Sequence, residues 1–229
     1  MERKYEFTGE TIDHFGVTLR RIRYIRSFAD VKAGDLGGWI EKEENLSHYG
    51  NAWVYGDARV CDNALVCDNA RVYGDAWVCD NARVYGDAWV CDNARVSGDA
   101  LVCDNAWVYG DARVYGDARV CDNARVYGDA RVHGDALVSG DARVSGDALV
   151  YGNARVEFTC TRTPKVLCGF KHYVTVTDQH ITVGCQSHTI EHWREHGAAI
   201  IKSDGNTSDQ ARAWHSIIMA IADEHIKWT

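Results

Sequence analysis

From Tyr49 to Val156, apolar and polar positions recur with a period of six through eighteen consecutive hexapeptides, among them YGNAWV, YGDARV, CDNALV and CDNARV. Valine takes every sixth position from Val54 to Val156, and alanine every sixth from Ala52 to Ala154, without exception. Six residues suit neither an amphipathic helix nor a plain two-residue alternation, but they do suit a short strand followed by a corner. Three such sides close a triangle. Valine then points inward, and alanine fits where the converging walls leave room for a methyl group. The Gly-Asp or Asp-Asn pair makes the corner, because Gly and Asn tolerate positive φ. Eighteen hexapeptides on three sides give six coils, a prism roughly 29 Å long at a strand spacing of about 4.8 Å.

Residues flanking each valine must face solvent. One side carries Trp53, Arg71, Trp89, Trp107, Arg125 and Arg143 beside Tyr55, Tyr73, Cys91, Tyr109, Tyr127 and Ser145. The second carries Arg59, Trp77, Arg95, Arg113, Arg131 and Leu149 beside Cys61, Cys79, Ser97, Tyr115, His133 and Tyr151. The third alternates Leu65, Arg83, Leu101, Arg119, Leu137 and Arg155. The repeat resembles the left-handed parallel β-helix of the hexapeptide-repeat proteins, so the expected fold is mainly β: six three-sided coils between two caps. The expected divisions are an N-terminal β cap (1–48), the β-helix (49–156) and a C-terminal α+β cap (157–229).

An open solenoid exposes strand edges at both ends, and the flanks read as covers for them. YEFTG and GVTLRRIRYIRSF are strand-like, followed by the Gly-rich AGDLGGWIEKEENLS. Arg20, Arg21, Arg23 and Arg26 form a cluster expected to pair with Glu41, Glu43 and Glu44. After Val156, HYVTVTDQHITVGC reads as a hairpin turning at Asp178-Gln179. Thr189 is placed to cap a short helix ending at Gly197, and Ser208 a second helix to about Lys227, with Ala211, Trp214, Ile217, Ile218, Ile221 and Ala222 on its core face. HITVGCQSHTIEHW resembles the C-terminal region of phage and bacterial hexapeptide proteins of unassigned activity, which implies a phage-encoded setting.

The chain carries 25 basic and 33 acidic residues, net −8, with 46% hydrophobic residues, 21 glycines and one proline. Collagen-like and Pro-rich classes are excluded. No apolar run approaches the roughly 20 residues of a membrane helix, and the negative charge disfavours non-specific nucleic-acid binding. Nine cysteines, an odd number with no signal segment ahead of them, point to reduced thiols in the cytoplasm. Cys61 with Cys79 and Cys103 with Cys121 stand one coil apart, but parallel Cβ vectors disfavour bridging, so outward reduced thiols are expected.

Two readings of the surface compete. Sixteen repeat Asp against ten repeat Arg fit simple charge balance, each Arg reaching an Asp on a neighbouring coil. Alternatively Trp53, Tyr55, Arg71, Tyr73, Trp89, Trp107, Tyr109, Arg125 and Tyr127 form a rigid binding face, since Trp, Tyr and Arg dominate interface hot spots and stack on nucleobases. Its partner would be a host protein or an anionic, nucleotide-like small ligand. The same tryptophans would serve equally in a homo-oligomer contact. His188-Thr-Ile-Glu191-His192 matches the H-x-x-E-H peptidase string, without a third ligand helix. Cys185, His188, His192 and His196, spaced three, four and four, are candidate ligands for a structural Zn²⁺; no other cofactor is expected. The hexapeptide acyltransferases that the repeat resembles use a histidine base between subunits. Here the repeat holds only His133, so no catalytic residue is assigned and acyl transfer stands as an alternative.

Overall fold

The computed structural model describes residues 3–167 and 170–227. Strands β1 (Tyr5–His14) and β2 (Val17–Tyr24) form an antiparallel hairpin, and β3 (Leu36–Ile40) pairs with β2 on one side. Eighteen two-residue strands, β4 to β21, then recur every six residues from Trp53–Val54 to Arg155–Val156. They stack in three parallel sheets, each strand on the one eighteen residues later, as in Trp89 opposite Trp107 and Val90 opposite Val108. The three outward rows are those the spacing predicts. The protein is mainly β: a parallel β-solenoid with two C-terminal helices.

The solenoid begins before the repeat. β3 lies parallel on β5 (Arg59–Val60), Trp39 opposite Arg59, and Leu46 bridges to Val66, so the stack runs to about seven turns. Inside it, every repeat valine and alanine is at most 1% exposed. Each buried valine contributes about 1.5–3 kcal/mol relative to exposure.

At the corners, the positive φ falls on Gly in the Gly-Asp hexapeptides and on Asp, not Asn, in the Asp-Asn ones: Asp62, Asp68, Asp80, Asp92, Asp104 and Asp122 lie at φ 56–60°. The carboxylate explains the choice. Asp92 Oδ2 accepts the Gly110 N–H at 3.2 Å, and Asp80 and Asp122 accept those of Gly98 and Gly140 at 2.9 Å, tying each corner to the next coil. The asparagines one position later form amide ladders, Asn63 to Asn81 to Asp99 and Asn105 to Asn123 to Asp141.

Both ends are closed by side-chain donors and acceptors. The buried Lys4 ammonium donates to the Ala52 carbonyl, and the Tyr24 hydroxyl donates to Val54 O and accepts from Val54 N–H. Burial first, then Arg26, lowers the Lys4 pKa to about 8. At the far end the Thr163 and Thr175 hydroxyls accept from Leu149 and Arg155 N–H. Arg20, Arg21 and Arg26 of the cluster are held by partners other than the expected glutamates, while Arg23 is exposed. Arg21 pairs with Asp57 and stacks on Trp39, Arg20 lies over Phe7, and Arg26 donates to His48 O.

The chain then builds a four-stranded antiparallel sheet, β22 (Lys165–Leu167), β23 (Val174–Val176), β24 (His180–Val183) and β25 (Gln186–Thr189), with the expected hairpin at its centre. Helix α1 (Ile190–Ser203) is capped by Thr189, whose hydroxyl accepts from His192 N–H. It runs through Gly197 instead of ending there, because at Gly197 the two helices touch: a Cβ would lie 2.6 Å from the His215 ring. Helix α2 (Ser208–Lys227) buries Ala211, Ile218, Met219, Ala222 and His225, while Ile217 is exposed. Ala211, Ile218 and Ala222 of the expected face are in the core with Trp214 packed against it, and only Ile217 of that face is exposed. Among the described residues no helix is long and apolar enough to cross a membrane.

Candidate functional site

The first face turns its rings on one another. Trp89 and Trp107 stack at 4.7 Å and 4°, with Arg71 over Trp89 at 4.8 Å and Arg125 over Trp107 at 5.1 Å, a four-layer Arg-Trp-Trp-Arg sandwich. Trp53 stacks on Tyr73 and packs edge-on to Tyr55, and Tyr109 stacks on Tyr127 at 4.9 Å. Strand stacking at about 4.8 Å brings the in-register pairs Trp89–Trp107 and Tyr109–Tyr127 face to face, while Trp53 reaches across to Tyr73. The nine residues read as a binding face are linked by stacked and edge-on contacts into one continuous network, with Arg71 also paired to Asp30.

The charge-balance expectation fails in a specific way. Among the described residues, no repeat arginine pairs with a repeat aspartate, and Arg71 alone of the ten has an ion-pair partner. The corner aspartates that hold positive φ spend their carboxylates on backbone N–H groups and thiols, and the strand arginines project away from the corners. The consequence is sharpest on the second face. Arg95, Arg113 and Arg131 are consecutive rungs in register, all exposed. Three like charges at strand spacing repel by roughly 1 kcal/mol per neighbouring pair in water, a cost that a bound anion removes.

The β1–β2 hairpin makes this row into a groove. Ile12, Val17 and Leu19 pack on Cys61, Cys79 and Trp77; Cys61 and Cys79 are buried, as Cys91 and Cys103 are on the other corners, so these four thiols are less exposed than the spacing suggests. At the tip, Phe15 stacks on Trp77 at 5.6 Å and 15°, and His14 meets the same indole edge-on at 4.8 Å. Arg95 lies 5.7 Å over the Trp77 ring. The resulting groove, about 510 Å³, is lined by His14, Phe15, Trp77, Arg95, Arg113 and Arg131, with Asp62 and Asp80 at the hairpin end and Tyr115 opposite. That volume is within the range of small-molecule sites. Burial first, then Arg59, depresses the His14 pKa, against Asp13, which raises it.

The arginine row was visible in the sequence as identical residues eighteen apart. The hairpin tip that roofs it was not, because no periodicity links residues 14–17 to the second face. His133 serves as a rung between Tyr115 and Tyr151, stacked at 4.7 and 5.9 Å.

The C-terminal histidines also form a ladder: ring centroids of His188 and His192 lie 4.4 Å apart, those of His192 and His196 4.7 Å. Cys185 is exposed just before β25, at the rim of an apolar cavity lined by Trp193, Trp214 and Ile218. The groups of three metal-capable atoms that converge within 4.8 Å among the described residues lie elsewhere, at Cys103, Asp104 and Cys121 and at Asp62, Cys79 and Asp80. All eight described cysteines are free.

A family model described as the YdcK β-solenoid repeat matches residues 64–80, 76–92, 88–104, 94–110, 106–121 and 118–134. A curated relative from Escherichia coli (strain K12), named "Uncharacterized acetyltransferase YdcK", is 51% identical over 39 residues, which is 17% of this chain and 12% of that protein. The chain thus matches about one eighth of the relative's length. The likeness supports a β-solenoid repeat.

Proposed function

We propose that this protein is a non-enzymatic binding protein whose second-face groove holds an anionic, nucleotide-like ligand. The observation that carries the reading is the in-register row Arg95, Arg113 and Arg131, without carboxylate partners among the described residues, continuing from the Phe15–Trp77 stack along one groove. The guanidinium row suits phosphate oxygens, and the aromatic end suits a planar base. The groove is polar along its length: Asp62 and Asp80 at the hairpin end would repel phosphate and accept from a base amino group, which orients the ligand with its phosphates toward Arg113 and Arg131. Membership of the hexapeptide-repeat family, with left-handed coils, belongs to this reading and is supported by the unbroken six-residue valine and alanine spacing.

Isothermal titration with adenosine triphosphate and with inorganic pyrophosphate tests the site. Each charged hydrogen bond is worth about 1.5–3 kcal/mol, so Arg113→Ala should weaken triphosphate binding at least about tenfold and added salt should weaken it further. Pyrophosphate should bind more weakly than the nucleotide, having no ring to stack. Absence of binding by both probes, or equal binding by Arg113→Ala, would overturn the proposal.

Acyl transfer is the second reading, favoured by the name of the matched relative and by the chemistry of the groove, since coenzyme A is itself a phosphorylated adenine nucleotide. It differs in requiring turnover. Acetyl coenzyme A that binds but is never consumed in the presence of amine and alcohol acceptors supports the binding protein.

A further inference from the structure

The repeat places a cysteine before a left-handed corner aspartate six times, at Cys61, Cys67, Cys79, Cys91, Cys103 and Cys121. Only two pairs of these stand on adjacent coils, Cys61 over Cys79 and Cys103 over Cys121. The first pair is buried beneath the hairpin, with the Trp77 indole N–H donating to Cys61 Sγ. The second lies on the third corner, clear of both caps. There the Sγ atoms of Cys103 and Cys121 and a carboxylate oxygen of Asp104 all lie within 4.8 Å of one another. Cys103 Sγ is 3.2 Å from Asp104 Oδ2, and Cys121 Sγ is 3.9 Å from Asp122 Oδ2.

We infer that Cys103, Asp104 and Cys121 form a binding site for a thiophilic divalent cation of the zinc type, with solvent or Asp122 completing the shell. Tetrahedral zinc with bonds of about 2.3 Å to sulfur holds its ligand atoms roughly 3.8 Å apart. The strand spacing brings the thiols close to that separation, and side-chain rotation alone closes the remainder. Two thiolates and a carboxylate make a soft, anionic donor set that discriminates against magnesium and calcium.

The Asp104 and Asp122 carboxylates beside the two thiols attract a cation, and metal binding replaces two thiol protons with one dication. The site does not depend on the anion groove, which lies on another face and is lined by none of these residues.

The test uses the full chain, reduced and stripped of metal, titrated with cadmium(II) as a spectroscopic substitute for zinc and followed by the ultraviolet thiolate-to-cadmium charge-transfer band. Ser97, Ser139 and Ser145 occupy the same repeat position as these cysteines, so Cys103→Ser and Cys121→Ser should keep the fold, checked by circular dichroism. Each should lose the tight phase of the titration, weakening cadmium binding at least tenfold. Cys91→Ser, whose coil neighbours Tyr73 and Tyr109 are not thiols, should titrate as wild type. Zinc added to the metal-free chain should release protons and occupy the site in competition with cadmium, and binding of either metal should tighten as pH rises. No charge-transfer band, or a tight phase that survives both Cys103→Ser and Cys121→Ser, would overturn the assignment. So would a tight phase lost only in Cys185→Ser or His192→Ala.

Discussion

Replacing Gly128 isolates the cost of a side chain at a left-handed corner. Gly128 has φ +70°, and a Cβ built on it would lie 3.1 Å from the Gly146 nitrogen on the next coil. Alanine there pays the left-handed penalty of about 1 kcal/mol and must also push the coils apart by a few tenths of an ångström, on the order of another 1 kcal/mol. Aspartate has the same Cβ, yet its carboxylate can accept the Gly146 N–H, as Asp92 does from Gly110 in the same column. That bond returns about 1 kcal/mol. The double variant Gly128→Asp/Asp129→Asn, which writes the chain's own Asp-Asn corner, should therefore cost under about 1 kcal/mol, against about 2 kcal/mol for Gly128→Ala. Thermal unfolding should place the alanine variant roughly 2–4 °C or more below the double variant. An alanine variant as stable as the Asp-Asn corner would refute the carboxylate tie as the reason these hexapeptides exist.

Other expectations follow from the caps and faces. The folded Lys4 releases its proton near pH 8 while the unfolded chain holds it to about 10.5. The unfolded state thus binds more protons between these values, and stability contributed at this site rises with pH across that window. Relative to a Lys4→Met reference, wild type should gain up to about 3 kcal/mol from pH 8 to 10.5 in urea unfolding; a difference independent of pH would contradict the burial of the charge. On the first face, Trp89→Arg breaks the Arg-Trp-Trp-Arg sandwich. If the stack is a contact between copies, native mass spectrometry should show a smaller assembly with unchanged circular dichroism, and an unchanged subunit count would remove that role.

The solenoid was legible because each hexapeptide repeats one local decision: valine in, alanine in, corner, with no exception between Ala52 and Val156. The rows on each face followed from the same arithmetic. What the spacing did not reveal arises where periodicity stops. β3 joins the stack although Leu36–Ile40 carries no hexapeptide, because Gly37 and Gly38 allow close approach: a Cβ on Gly38 would sit 2.7 Å from Ala58 O. Gly197 reads as a helix end but is a contact point between two helices. The arginines looked balanced by aspartates in composition, yet the left-handed corners direct carboxylates to backbone N–H groups, which leaves Arg95, Arg113 and Arg131 free of ion pairs. The roof over them comes from a hairpin tip some sixty residues earlier in sequence than Trp77.

The most direct measurement is native mass spectrometry of protein purified gently from cells, beside its denatured mass of 25.6 kDa and beside Arg113→Ala/Arg131→Ala treated identically. The account expects wild type to carry an adduct of nucleotide mass, or to acquire one on addition of adenosine triphosphate, and expects the double variant to lose it with its subunit count unchanged. A wild type that takes up no nucleotide, or a double variant that retains it fully, would contradict the assignment of the groove.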